Sequence, residues 1–367
     1  MKVLLVDDDQ LILRALKRSL IHLDNTLEIH VIDDPLKLNE AIVEHGTPTI
    51  LFSDFNMPNY TGCALLNDAK QLCPEALRCL LSGDMTTDFS LQVNNQAHFY
   101  LAKPFTKSQL QQVLEAAKQL EKLPVGDIAR KALGQLEQIP VVSDNIKDIL
   151  RLLRTQERLA VVADKLSENG AVSAKLIQVA NSAMLGFSAS ISTVEDAVIR
   201  LGVDFVEVIL LSYDLENKAE SSIREHVVKA NRKAFQKAIL ARDFATRLGL
   251  EKRQTEQLQL VCLLSALGDI TERVNSDEAL KQLDRTIISA YLLSLWGFSE
   301  ITAKSQLVFD STQLAENKLT LMHAAIELVV DPTYEDCPKN WPADVYKQLF
   351  ERNIYDNWHQ WKNEFSI

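Results

Sequence analysis

Residues 3–9 read Val3-Leu4-Leu5-Val6-Asp7-Asp8-Asp9, four apolar residues running straight into three acids. A short unbroken apolar run that ends in charge is the pattern of a parallel strand buried on both faces. Beyond it, Leu11, Leu13, Leu16 and Leu20 recur at the spacings of an amphipathic helix. The alternation then continues: Leu27–Ile32 as strand, Leu36–Glu44 as helix, and Thr49–Phe52 as a strand ending at Asp54. Gly62–Leu72 follows as helix, Leu77–Leu81 as a strand ending at Ser82-Gly83, and Phe99–Ala102 as a strand ending at Lys103-Pro104. Thr106–Leu120 closes the series as helix. Five strands alternating with helices predict a doubly wound α/β fold with a five-stranded parallel sheet. In such sheets the active crevice lies outside the carboxyl ends of the strands.

Those ends carry a consistent chemistry. Asp7 and Asp8 follow the first strand, Asp54 the third, Ser82 the fourth and Lys103 the fifth. One Asp-Asp pair after a strand reads as a solvated turn, and one Lys-Pro as a strand terminus. Their joint occurrence at four strand ends is what points to a site. Three carboxylates in one crevice repel one another and call for a hard divalent cation. Mg²⁺ takes one or two carboxylates, keeps several waters and suits phosphate chemistry. A carboxylate beside it can attack phosphorus and form an aspartyl-phosphate, while a lysine and a hydroxyl hold the phosphoryl oxygens.

The motifs Val6-Asp7-Asp8-Asp9, Ser53-Asp54-Phe55-Asn56-Met57-Pro58-Asn59, Leu81-Ser82-Gly83 and Tyr100-Leu101-Ala102-Lys103-Pro104-Phe105 give residues 1–121 a resemblance to the receiver domain of two-component response regulators, with its flavodoxin-like sheet. The resemblance implies Asp54 as phosphoacceptor, and Asp7, Asp8 and Asp54 as Mg²⁺ ligands, with Asn56 adding a backbone carbonyl. It also implies Ser82 as switch hydroxyl, Lys103 as the phosphate-pairing cation and Tyr100 as the aromatic switch. The Lys103-Pro104 bond fits a cis peptide. A sensor histidine kinase or phosphotransfer protein is the implied phosphodonor.

The chain has 367 residues, which suggests two or three domains. Lys and Arg number 39 against 50 Asp and Glu, a net charge of −11, so no global positive field recruits nucleic acid or anionic lipid. The five cysteines contain no CxxC pair, which argues against a disulfide framework and a zinc knuckle. Acids at positions 7–9 interrupt the apolar core a signal peptide needs, and no uncharged run reaches the roughly 18 residues of a membrane span. A cytoplasmic protein that binds no membrane is expected.

Lys122-Leu123-Pro124-Val125-Gly126 breaks the last helix of the series and marks a short linker. From Ile128 to about Val330 the pattern is helical, with Ile146, Ile149, Leu150 and Leu153 on one face and Leu159, Val162, Ala163 and Leu166 on another. Ser192 and Glu195 predict a capping box for a helix ending at Gly202. Further helices are predicted at Ala234–Leu248 and Gln257–Leu267, ending near Gly249 and Gly268. Lys175-Leu176-Ile177-Gln178-Val179-Ala180-Asn181-Ser182-Ala183, Gly186 and Ile191–Gly202 resemble the HDOD domain, an all-α output module related to HD-type metal phosphohydrolases. Leu136–Pro140 and Leu292–Gly297 extend that resemblance over about residues 123–330. The divisions are thus 1–121, 122–330 and a C-terminal extension, 331–367.

An HD hydrolase needs clustered His and Asp ligands. The chain has no His-Asp dipeptide, and Leu263-Leu264-Ser265-Ala266-Leu267-Gly268 stands where the enzymes carry Leu-Leu-His-Asp-Ile-Gly. His226, His323 and His359 read as surface or satisfied core histidines. In the extension, Val345–Phe365 reads as helix. Trp358 and Trp361 there read either as docked on the domain or as an aromatic partner surface. The expected function is a response regulator that accepts phosphate on Asp54 and signals through a catalytically degenerate helical domain by contact with a downstream protein. The alternatives are a cyclic-dinucleotide phosphodiesterase and a nucleic-acid-binding regulator. The latter has only Lys229-Ala230-Asn231-Arg232-Lys233 as a basic run, so no nucleic-acid partner is expected. The sequence leaves a homodimer open.

Overall fold

The alternating pattern of the first third folds into one parallel sheet built from β1 (Lys2–Val6), β2 (Glu28–Ile32), β3 (Ile50–Asp54), β4 (Leu77–Ser82) and β5 (Phe99–Ala102). Their order is β2-β1-β3-β4-β5. The computed structural model describes residues 1–58, 60–83, 97–136, 146, 149, 152–153, 157–181, 191–218, 221–274, 283–295, 298–331, 338 and 340–365. Val3, Leu5, Ile50, Leu51, Phe52 and Leu80 are fully buried, which is why their strands read as continuous apolar runs. Around the sheet lie α1 (Gln10–Leu23), α2 (Leu38–His45), α3 (Gly62–Leu72) and α4 (Lys107–Lys122). The stretch between β4 and β5, for which the sequence reading names no element, includes residues 84–96, which lie outside the described residues. The strand order reverses between β1 and β3, which puts the carboxyl ends of these strands at the crevice.

Local chemistry sets the boundaries. The Asp9 side chain accepts the Leu11 N–H at 2.7 Å, so the third acid of the opening motif caps α1. Pro35–Lys37 forms a 3₁₀ turn started by Asp34, and α2 therefore begins at Leu38, two residues later than its apolar pattern suggests. A two-residue antiparallel ladder, Asn56–Met57 with Tyr60–Thr61, follows β3 and has no counterpart in the sequence reading. Thr106 and Gln109 close a capping box on α4.

Residues 123–126 lead into a further helix, α5 (Asp127–Gly134), fixed at both ends. The Arg130 guanidinium donates to the carbonyls of Leu120 (2.5 Å), Glu121 (3.0 Å) and Leu123 (2.8 Å), covering the open C-terminus of α4. At the other end Arg78 Nη2 donates to Gly134 O at 3.0 Å and Lys70 Nζ to Leu136 O at 3.2 Å, two cations on the negative end of a helix. A Cβ at Gly134 would lie 1.8 Å from Pro74 O, so only glycine lets α5 approach this closely. Residues Met1–Ile139, with Asn275–Asp284 and Tyr291–Glu300, form the first compact unit.

The second compact unit comprises Pro140–Val274, Arg285–Ala290 and Ile301–Ile367. Its helices include α6 (Leu159–Ser167), α7 (Gly170–Ala180), α8 (Val194–Leu201), α9 (Val203–Lys218), α10 (Ser221–Arg247), α11 (Lys252–Leu264) and α12 (Ala266–Val274). They are followed by α13 (Arg285–Leu295), of which Arg285–Ala290 falls in this unit, then α14 (Glu300–Lys304), α15 (Ser311–Glu316), α16 (Lys318–Val330), α17 (Trp341–Glu351) and α18 (Tyr355–Phe365). The 27-residue α10 is the spine, packed by α9, α11, α12, α16 and α18. Val162, Ala163 and Leu166 are buried as their spacing predicts, as are Ile146, Ile149 and Leu153. Leu150, Gly186 and the Leu-rich run beyond Leu295 lie outside the described residues.

Three sequence readings are corrected here. The cap of α8 is Thr193, which accepts the Asp196 N–H at 3.1 Å, one residue beyond the predicted Ser192 and Glu195. Gly268 ends no helix. It lies inside α12, where a Cβ would stand 1.9 Å from Arg285 O, so it is small because another backbone crosses it. The single helix read at 345–365 is two, broken at Asn353, whose φ of 57° is one that asparagine tolerates. The extension docks: Trp341, Trp358 and Trp361 are at most 2% exposed. Their indole N–H groups donate to Val308 O (2.5 Å), Ala325 O (2.8 Å) and Asp243 Oδ2 (2.7 Å).

Two outcomes follow from the first unit. Gly134→Ala forces α5 off Pro74 and should cost about 1–3 kcal/mol of stability, measurable by chemical denaturation with faster hydrogen exchange across residues 123–136. His98 accepts the Arg78 backbone N–H on Nδ1 at 3.0 Å. Burial, reinforced by Arg78 and Lys70, holds this imidazole well below its usual range. The folded chain therefore keeps His98 neutral while the unfolded chain protonates it below about pH 6.5. Stability should be insensitive to this group above that pH and fall below it by at most about 1.4 kcal/mol per pH unit. His98→Asn, which keeps an acceptor but does not titrate, should flatten that slope, and an unchanged slope would refute the assignment.

Candidate functional site

The C-terminal ends of β1, β3, β4 and β5 bring the predicted residues together. Asp7 and Asp54 are 3% and 7% exposed, whereas Asp8 faces solvent. One carboxylate oxygen from each of these three lies within 4.8 Å of the others, and among the described residues no other such group of His, Cys, Asp or Glu donors forms. Lys103 Nζ bridges the two buried acids, 2.6 Å from Asp54 Oδ1 and 2.8 Å from Asp7 Oδ2.

Backbone geometry aims each group. Asp7 Oδ1 accepts the Asp9 N–H at 2.9 Å, and Asp54 Oδ2 accepts the Asn56 N–H at 2.9 Å. The Asp54 carboxylate is thus held on both oxygens. Ser82 is buried at the end of β4 in register with Ala102, and its carbonyl accepts the Lys103 N–H at 2.7 Å. Tyr100, half-buried on β5, pairs in register with Leu80, and burial raises its phenol above the ordinary range. The Lys103-Pro104 peptide is cis, as the motif suggests.

The charges are unequal. Three carboxylates face one ammonium, which leaves two negative charges in a crevice floored by a dry sheet. Burial pushes the Asp7 carboxyl above its usual value, with Lys103 and the Asp9 N–H acting against the rise. Burial alone would lower Lys103, but its hydrogen bonds to Asp54 and Asp7 outweigh that and hold it above its ordinary range. This oxygen-rich, doubly negative donor set fits a hard divalent cation such as Mg²⁺. Asp7, Asp8 and Asp54 are the side chains that would hold it.

One residue of the site was invisible to motif reading. Gly62 opens α3, and a Cβ there would lie 2.0 Å from Asp54 O and 2.7 Å from the Leu80 side chain. Its N–H donates to Phe55 O at 2.9 Å, which folds α3 back onto the strand that carries Asp54. The only signal in the sequence is a glycine directly after the helix cap Thr61. Gly62→Ala should displace the Asp54 main chain, lower stability by about 1–3 kcal/mol and reduce divalent-cation binding measured by Mg²⁺ titration. Unchanged cation affinity would show that the close approach does not position Asp54.

The positions that would carry HD ligands are different in kind. Ser265, the cap residue between α11 and α12, accepts from Lys237 Nζ at 3.0 Å and donates to Cys262 O at 2.8 Å. Lys237 pairs with Glu327 Oε2 at 2.6 Å, both side chains nearly inaccessible. His226 and His359 are exposed. His323 is buried and only half satisfied, since Nδ1 meets Ser305 O at 2.9 Å while Nε2 has no hydrogen-bond partner. Of the basic run 229–233, Lys229 and Arg232 are exposed and Lys233 is paired with Asp331. Asn181 makes two 2.8 Å hydrogen bonds to the backbone of Ile191, tying the end of α7 to the approach to α8.

A five-stranded parallel sheet with an acidic, lysine-bridged crevice at its carboxyl edge defines a receiver-type fold. Residues 3–115 match the family of the response regulator receiver domain, and residues 139–295 match the HDOD domain family. The receiver-domain match thus precedes the HDOD match along the chain. It is 32% identical over 116 residues to the response regulator protein GraR of Staphylococcus haemolyticus, a match covering 32% of this chain and half the length of that relative. A receiver domain from Clostridium thermocellum is 25% identical, covering 34% of this chain and 98% of that one, with a TM-score of 0.31. The signal receiver domain of an HD domain-containing protein from Pseudomonas fluorescens is 26% identical, covering 32% and 93%, with a TM-score of 0.29. Among the described residues no helix is long and apolar enough to cross a membrane.

Proposed function

We propose that this protein is a phosphorylation-controlled switch. In this reading Asp54 accepts a phosphoryl group from a histidine kinase or phosphotransfer protein, and the HDOD domain acts by protein contact. The observation that carries it is the Lys103 bridge between Asp7 and Asp54. Attack by an Asp54 oxygen on a phosphohistidine forms the new P–O bond and breaks the P–N bond. The Asn56 N–H fixes one carboxylate oxygen, so the other can be directed at phosphorus as Lys103 turns toward the incoming phosphoryl oxygens. Bound Mg²⁺ would neutralise charge on those oxygens. Ser82 stands one strand from Asp54, suited to receive a phosphoryl oxygen on its hydroxyl, and Tyr100 lies on the neighbouring strand, placed to follow it.

Phosphate shifts the receiver only by as much as it is bound better in one conformation than in the other. The helical domain is proposed to be non-hydrolytic, because Ser265 and Ala266 offer no metal ligands where an HD enzyme carries His and Asp. A cytoplasmic site of action agrees with that phosphodonor.

Incubation with a small-molecule phosphodonor and Mg²⁺ should add one phosphoryl group by intact mass, and Asp54→Asn should abolish it. Undiminished labelling of that variant would overturn the assignment. Asp8→Ala should weaken Mg²⁺ binding and leave the fold intact. Tyr100→Ala should keep the labelling while shrinking the hydrogen-exchange response in residues 140–365. The full chain should hydrolyse no cyclic dinucleotide; turnover abolished by chelator and restored by Mn²⁺ would refute the non-hydrolytic reading.

A further inference from the structure

The second unit buries a charged cluster that the proposed switch does not use. Lys237 on α10 and Glu327 on α16 have side chains only 6% and 5% exposed, joined at 2.6 Å, and Ser265 Oγ is 3.0 Å from the same ammonium. From the opposite side Arg285 on α13 reaches Glu327 Oε1 at 3.8 Å and Asp269 at 3.4 Å. His323 shares one face of α16 with Glu327, four residues away, and Lys237, Glu327 and His323 all act on one another electrostatically.

The state of His323 follows from its contact. Ser305 O can only accept, so Nδ1 at 2.9 Å carries the proton and Nε2 presents a lone pair. That nitrogen is buried and has no hydrogen-bond partner. An imidazole whose one N–H is fixed by a carbonyl while the other nitrogen offers its lone pair is oriented as a metal-ligating histidine is. A carboxylate one turn away is a second donor of the right type. An unpartnered nitrogen and a buried carboxylate would suit a borderline cation such as Zn²⁺. A positive charge is already there, however, and it is covalently attached.

We propose that the Lys237 ammonium is the built-in cation of this cluster, held by Ser265 and by Glu327 on the α16 face that also carries His323, and that it thereby excludes a divalent transition metal. The missing HD ligands explain why a metal would be held weakly; Lys237 explains why none is needed. Without it Glu327 keeps only the longer 3.8 Å contact to Arg285, which is also shared with Asp269, and the buried carboxylate gains from recruiting another cation. The inference rests on the non-hydrolytic reading of the helical domain, but its readout is metal uptake and not turnover.

The test uses the full chain carrying Lys237→Ala or Lys237→His, titrated with Co²⁺ and Zn²⁺ in excess Mg²⁺ to saturate the receiver crevice. The wild type should show no Co²⁺ absorption of the nitrogen-ligated kind. At least one variant should gain one ion per chain, and adding His323→Ala should remove it. Nitrogen-ligated metal in the wild type, or two folded variants that take up none, would overturn the proposal. If both variants unfold without metal, recovery of the helical circular dichroism on refolding with Zn²⁺ supports it and no recovery overturns it. Hydrolysis by the wild type would instead strike at the proposed function.

Discussion

Two carboxylates buried at adjacent strand ends cannot both stay ionised without positive charge between them, and Lys103 supplies it. Much of the receiver unit serves that contact. Continuous apolar strands keep its floor dry, Ser82 O fixes the Lys103 backbone, Asp9 and Asn56 direct N–H groups at the outer carboxylate oxygens, and Gly62 lets α3 close behind Asp54. Because one ammonium faces three carboxylates, the balance is incomplete, and the crevice has a standing affinity for further positive charge. In the proposed switch, a phosphoryl group on Asp54 would give Lys103 a new partner.

The same sheet is tied at its other end to the segment that leads out of the receiver. Arg78 begins on β4, the strand that ends in Ser82, and its guanidinium terminates on the last carbonyls of α5 with help from Lys70. Arg130 completes the arrangement by capping α4. Residues 123–136 are therefore held by charge-assisted hydrogen bonds to the receiver, and do not form a free tether. Any displacement of β4 reaches α5 through buried contacts, which are stiff because protein interiors are densely packed.

The sheet was legible because its strands are buried on both faces and its chemistry sits in short motifs at their ends. Asp7, Asp8, Asp54, Asn56, Ser82, Tyr100 and Lys103 could be numbered before any coordinates. What stayed hidden was whatever depends on contacts distant in sequence. Gly62, Gly134 and Gly268 look like ordinary turn or helix-end glycines, yet each marks a backbone crossing under about 2 Å from where a Cβ would be. Trp341, Trp358 and Trp361 could be read as surface or core, and only the carbonyls and the carboxylate that accept their N–H groups settle the matter. In the helical unit, periodicity located helices but said nothing of which polar residue on α10 meets which on α16.

The two units use a carboxylate-paired lysine in opposite ways. At Lys103 the acids outnumber the ammonium, and the crevice is open to solvent through Asp8. At Lys237 the ammonium meets Glu327 inside a closed helix bundle, and Arg285 and Asp269 extend the pair into a balanced network. A site responds to ionic ligands to the extent that its own charges are unbalanced and reachable, because drawing one partner out of a buried balanced pair leaves the other charge buried and uncompensated. On that criterion the receiver crevice is the part of the chain built to sense an ion. The corresponding cluster in the helical unit is balanced and nearly inaccessible, so by the same criterion it has little response to an ion.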